Sequence, residues 1–146
     1  MSRITVNFIK CAIIYFIFAM LLGLHMSAGG PQYPYLQIHT HFNLLGWMSM
    51  MVYGVGYHIL PRFSGKPLFS DKLATGHIWL ANIGLLGMAL GWILQSTPVH
   101  LLFSAIEGLS MIFFAINMFK TIRAVDPPKP KPATPAPSAK SAPAKK

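Results

Sequence analysis

Six histidines are the residues with chemistry to offer in this chain of 146 residues: His25, His39, His41, His58, His77 and His100. Imidazole is a good axial ligand for heme iron and a good ligand for copper. An ionisable group inside an apolar segment marks function by default. His39 and His41 are the informative pair. On a regular helix they point about 200° apart with a rise of about 3 Å, so one helix cannot easily clamp a single metal with both. They can instead serve two clefts, one on each side of the helix. The plainer reading makes them interfacial histidines that hydrogen-bond loop carbonyls. His25 and His100 stand at similar depth and are further candidates to bind a cofactor. Glu107, seven residues after His100, falls on nearly the same helical face. A carboxyl buried in lipid must be neutral or paired, which makes Glu107 either a proton-relay group or a helix–helix hydrogen bond. Cys11 is the one cysteine, so no disulfide forms within the chain, and it reads as a buried, inert thiol. Met48, Met50 and Met51 give no compact thioether cluster for copper. No Gly-rich phosphate loop, nucleophile triad or carboxylate pair appears, which leaves hydrolase and kinase roles without support.

The elements that must position these side chains are apolar. The chain is 53% hydrophobic and 10% charged, far below the ~25% charged residues of a soluble domain. Four stretches are long enough to cross a ~30 Å hydrocarbon core as helices: about 8–26, 36–60, 73–94 and 99–119. None alternates polar and apolar residues as a transmembrane β-strand would. Loops 28–35 and 95–98 carry no charge, whereas loop 61–72 carries Arg62, Lys66 and Lys72 against one acid. Positive loops stay inside. The reading is therefore an all-α integral membrane four-helix bundle with both termini inside, in a bacterial-type inner membrane. Residues 1–123 form the transmembrane domain. A cut after Ala28 would put Met26 three residues before the cleavage point, where a small residue is wanted, so the first span is read as retained. Residues 124–146 are Pro, Ala, Ser and Lys, and are expected to be a disordered cytoplasmic tail lying on anionic headgroups. The net charge of +9 sits at the N-terminus, in one loop and in the tail. That distribution fits membrane lipid as partner and not nucleic acid.

From His39 to Gln95 the sequence carries several fixed spacings at once. They are His39-x-His41, Leu45-Gly46-Trp47, His58, the turn of Pro61, Phe63, Ser64 and Gly65, and His77-x-Trp79. This stretch resembles subunit I of the heme–copper oxidases and nitric oxide reductases, in its tenth and eleventh helices. The resemblance implies that His39 binds a high-spin heme and His41 a low-spin heme in a neighbouring cleft, while the family residues matching His58 and His77 are not ligands. The family's copper-binding helices and its second-helix heme ligand have no counterpart here. The chain resembles only the last of three four-helix arcs, so it is not expected to reduce oxygen or pump protons alone. One arc leaves its histidine faces open, which implies a homo-oligomer, a trimer or a dimer, with heme between neighbouring second spans. The expected function is that of a heme b protein, a cytochrome b transferring electrons in or near a respiratory chain, with a redox protein or quinol as partner. One alternative is a five-coordinate heme binding or converting a diatomic gas. Another is a cofactor-free accessory or assembly subunit of a respiratory complex. Copper at the outer histidines is the weakest option.

Overall fold

The structure, a computed structural model, describes residues 1–122; the expected tail lies outside them. Four helical spans appear where the apolar runs predict them. Helix α1 covers Arg3–Ser27. The second span is one continuous helical run in three parts: α2 (Tyr35–His41), a π-helical stretch (Phe42–Ser49) and α3 (Met50–Phe63). Helices α4 (Asp71–Ile93) and α5 (Thr97–Thr121) complete the bundle. α1, α4 and α5 are each long and apolar enough to cross a membrane. Most spans overrun the apolar stretches because polar residues cap them just outside the lipid. Ser2 Oγ accepts from the Thr5 amide at 3.1 Å, and Ser70 Oγ accepts from Leu73 at 3.2 Å, each satisfying an otherwise orphan donor.

The turn at the inner end of α3 follows from its sequence. Gly65 takes a left-handed φ of 62°, its amide bonds the Arg62 carbonyl, and the Lys66 amide bonds that of Pro61. This is the Schellman closure, which needs a residue tolerant of positive φ just past the helix. Pro61 therefore lies inside the last helical turn and not in the loop that the apolar pattern alone assigns to it.

Packing runs closest between α4 and α5, and next between α1 and the second span; α1 and α5 sit diagonally apart among the described residues. The α4–α5 contact is made by Gly84, Gly87 and Gly91. A methyl group on Gly87 would fall 2.0 Å from Phe103 Cγ, and one on Gly91 would fall 2.7 Å from the His100 Cα. Close approach of small residues is what drives helix pairing in lipid, where apolar burial against another helix gains little over lipid tails. These glycines are packing residues. Outward, α1 exposes Ile14, Ile17, Phe18 and Leu21, and α5 exposes Leu101, Leu102, Ile112 and Phe119. Such faces suit acyl chains.

Polar side chains in the interior find partners across helices. Tyr15 donates to Asn82 Oδ1 at 3.0 Å. Asn117, fully buried, holds the inner loop by two bonds to Ser70, accepting from its amide at 3.0 Å and donating to its carbonyl at 2.8 Å. Thr121 accepts from the Phe69 amide at 3.0 Å.

Candidate cofactor site at the outer face

His39 and His41 lie on opposite sides of the second span, half-buried. The His39 ring turns to α1, with Nδ1 2.7 Å from the Ala19 carbonyl. A carbonyl only accepts, so Nδ1 carries the proton and Nε2 presents its lone pair. Asn43 agrees with that tautomer: its Nδ2 donates to His39 Nε2 at 3.3 Å and to the His39 carbonyl at 3.0 Å. Gly23 gives the ring room, since a methyl group there would fall 2.9 Å from His39 Cε1. His41 repeats the pattern within its own helix. Its Nδ1 lies 2.9 Å from the Gln37 carbonyl, one turn back, so again Nε2 carries the lone pair, here without an Asn43-like donor on it. The His41 ring packs on Trp92 of α4 with centroids 4.6 Å apart.

His100 packs on the same tryptophan. Its ring stacks on Trp92 at 4.5 Å. Its Nδ1 is buried without a hydrogen-bond partner, and Nε2 is 3.5 Å from Ser104 Oγ. No carbonyl fixes its tautomer. His25, exposed at the end of α1, meets the edge of Tyr35, at 5.2 Å, and lies close against Gly30. All four candidates thus occupy the outer end of the bundle, but hydrogen bonds orient only His39 and His41. Among the described residues, no three His, Cys, Asp or Glu side chains gather into a group that would hold a bare metal ion. A ligand built around one imidazole per cleft fits better.

The π-helical stretch begins directly after His41. Ser49 Oγ donates to the Leu44 carbonyl five residues back, at 2.8 Å, the interval of the π repeat. Such segments are uncommon and concentrate at functional sites. This one turns the span so that Gly46 meets Tyr15 of α1 closely.

At the inner end the histidines differ from each other. His58 accepts from the Arg62 guanidinium one turn on. His77 is buried within α4, 0% exposed. Phe8, Tyr53, Tyr57 and Phe114 surround its ring with centroids 4.6–5.8 Å away. Its Nδ1 is 3.0 Å from Tyr57 OH, and Nε2 has no partner. Glu107 sits mid-bundle, buried against Gly84 of α4, and its Oε2 has no hydrogen-bond partner. Residues that sequence reasoning missed are Ala19, Gly23 and Asn43, which seat His39. Asn43, four residues after His39, carried a readable signal; Ala19 and Gly23 carried none.

Fold and site together define a multi-pass, histidine-bearing all-α membrane protein. Over part of its length it is related to subunit I of the heme–copper oxidases, and it is of the bacterial inner-membrane type. It is 44% identical over 48 residues to cytochrome c oxidase subunit 1 of Rhodobacter capsulatus, a match covering 32% of this chain and 9% of that one. It is 28% identical over 120 residues to the cbb3-type cytochrome c oxidase subunit CcoN1 of Stutzerimonas stutzeri, covering 61% of this chain and 25% of that one. A third relative, a cytochrome c oxidase subunit 1 homolog of Agrobacterium tumefaciens, is 29% identical over 87 residues, covering 51% and 16%. The chain spans no more than a quarter of the length of these relatives. No protein-family profile and no solved structure matches it.

Proposed function

We propose that this chain holds b-type heme at its outer end through His39 and His41 and transfers electrons within the membrane. The observation that carries the reading is the hydrogen bond from each Nδ1 to a backbone carbonyl. That bond sets the tautomer, orients the ring and raises the basicity of Nε2, as second-shell partners of metal-bound histidines do. Bound heme would supply a one-electron couple whose potential depends on axial ligands and burial. The chain's own residues orient the imidazoles, and the apolar spans keep water out. His25 and His100 stand at the same end as secondary candidates, and Glu107 is the group that would hold a proton at mid-membrane.

Because the two rings face opposite sides of one span, each cleft receives a single oriented imidazole from this chain. His39 of one protomer and His41 of the next would together hold the heme, in a trimer or dimer. A redox protein or quinol would exchange the electron. The same observation favours one second reading. Without that neighbour one imidazole alone would hold the heme, whose chemistry would then be the binding of a diatomic gas such as NO or O2.

His41→Ala tests the assignment. Heme content falls, or the reduced spectrum changes from six- to five-coordinate. Full heme content with an unchanged spectrum rejects His41 as a ligand.

A further inference from the structure

A groove runs between α1 and α4 from the inner face toward mid-membrane. Its inner part is a cavity of 550 Å³ bordered by Arg3, Asn7 and Lys10 of α1 and by Thr75, Ile78 and Trp79 of α4. Its deeper part, 360 Å³, is walled by Ile14, Phe18, Phe42 and Leu86. Cys11 and Asn82 border both parts, so the two are continuous. The groove does not touch the outer histidines and belongs to no function described above.

Its lining is graded. Arg3 and Lys10 are seven residues apart and so share one helical face, with Asn7 between them. The Asn7 side chain is exposed and makes no hydrogen bond within the described residues. Beyond Cys11 the wall is apolar apart from Tyr15 and Asn82, which satisfy each other. From Arg3 to Phe18 is fifteen residues, about 22 Å of helix, which spans the ~15 Å of one leaflet's hydrocarbon with room for a headgroup. Lys10 lies within the apolar run, where a cation needs a counter-charge. The carboxylates of the described residues, Asp71 and Glu107, do not line the groove. Trp79, 66% exposed at the mouth, is the aromatic type that settles at headgroup level.

We infer that this groove binds an anionic phospholipid of the inner leaflet, its phosphate between Arg3 and Lys10 and one acyl chain along Ile14, Phe18 and Leu86. The charge complementarity selects anionic over zwitterionic lipid, and the graded wall selects a lipid over free phosphate.

The test uses the full chain, delipidated in detergent and titrated with phosphatidylglycerol or phosphatidylcholine, with bound lipid counted by native mass spectrometry. A basic residue near a headgroup is worth about fivefold in affinity, from ~1 kcal/mol each. Arg3→Gln with Lys10→Gln should therefore weaken phosphatidylglycerol binding about 25-fold and leave phosphatidylcholine binding unchanged. Arg3→Lys with Lys10→Arg should retain it. Ile14→Trp, which keeps every charge including those of the C-terminal lysines, should lose the bound lipid by filling the groove. Three results would each overturn the inference: equal affinity in the double glutamine variant, displacement of the lipid by inorganic phosphate, or Ile14→Trp breaking an oligomer without changing lipid binding. The last would give the groove to a second copy of the chain.

Discussion

Gly23→Ala separates the seating of His39 from the stability of the bundle. A methyl group at Gly23 would lie 2.9 Å from His39 Cε1, whereas carbon atoms pack comfortably at about 3.5 Å or more. The ring must give by roughly 0.6 Å, and it moves away from α1. Ala19, whose carbonyl takes the Nδ1 proton at 2.7 Å, is on α1 too, so that hydrogen bond lengthens. Its loss costs about 1 kcal/mol. Alanine in place of a mid-helix glycine returns about 1 kcal/mol. The two offset each other, and the thermal midpoint should hardly move. Heme affinity has no such offset: removing an orienting partner of a metal-bound histidine lowers affinity by about 10- to 100-fold. The assay is a heme titration followed by absorbance in the otherwise unaltered chain. Gly108→Ala is the control, because a methyl group there meets nothing within 4 Å. If Gly23→Ala binds heme as tightly as the control, the orientation of His39 has no part in heme binding and the argument from its hydrogen bond fails.

Other outcomes follow from the same geometry. His58→Ala and His77→Ala should both leave the heme spectrum intact; loss of heme in either would move the site to the inner end. They should differ in stability. His58 is bonded to Arg62 near the surface, whereas His77 fills a closed aromatic cage, so His77→Ala should cost about 3 kcal/mol by leaving a cavity. Equal thermal midpoints for the two variants would contradict that cage. Asn117→Ala strands the amide of Ser70, whose carbonyl still accepts from the Ala74 amide, and should destabilise by about 2 kcal/mol, with faster proteolysis of the 64–70 loop. Unchanged cleavage would mean that the loop is held by something else.

The spans were legible because lipid imposes a length. The gathering of His25, His39, His41 and His100 at one end of the bundle followed from where the spans begin and end. Helix geometry also foretold that His39 and His41 would face different clefts, and their rings do lie against α1 and α4 respectively. The π-helical stretch was not legible. Nothing in Phe42–Ser49 forbids ordinary α-helix, and the five-residue repeat depends on contacts that the sequence does not announce. The burial of His77 was missed because its cage comes from Phe8, Tyr53, Tyr57 and Phe114, residues of three other spans. A signal did exist: Ala74, Ala81 and Gly84 lie three before, four after and seven after His77, a stripe of small residues on one face. Such a stripe belongs against another helix, and His77 lies in it. The loop latch was hidden for a different reason. Asn117 and Thr121 read as polar residues at the end of a span, and only the closed bundle brings Ser70 and Phe69 to them.

The most direct test of the central claim is an optical spectrum of the detergent-purified full chain, expressed with heme supplied, oxidised and dithionite-reduced, with and without carbon monoxide. The account predicts sharp reduced b-type bands that carbon monoxide leaves in place, because His39 of one copy and His41 of another would hold the heme together. Bands that shift with carbon monoxide would replace electron transfer with gas binding at an open iron. A spectrum without heme bands would contradict the account and leave a cofactor-free subunit of a respiratory complex.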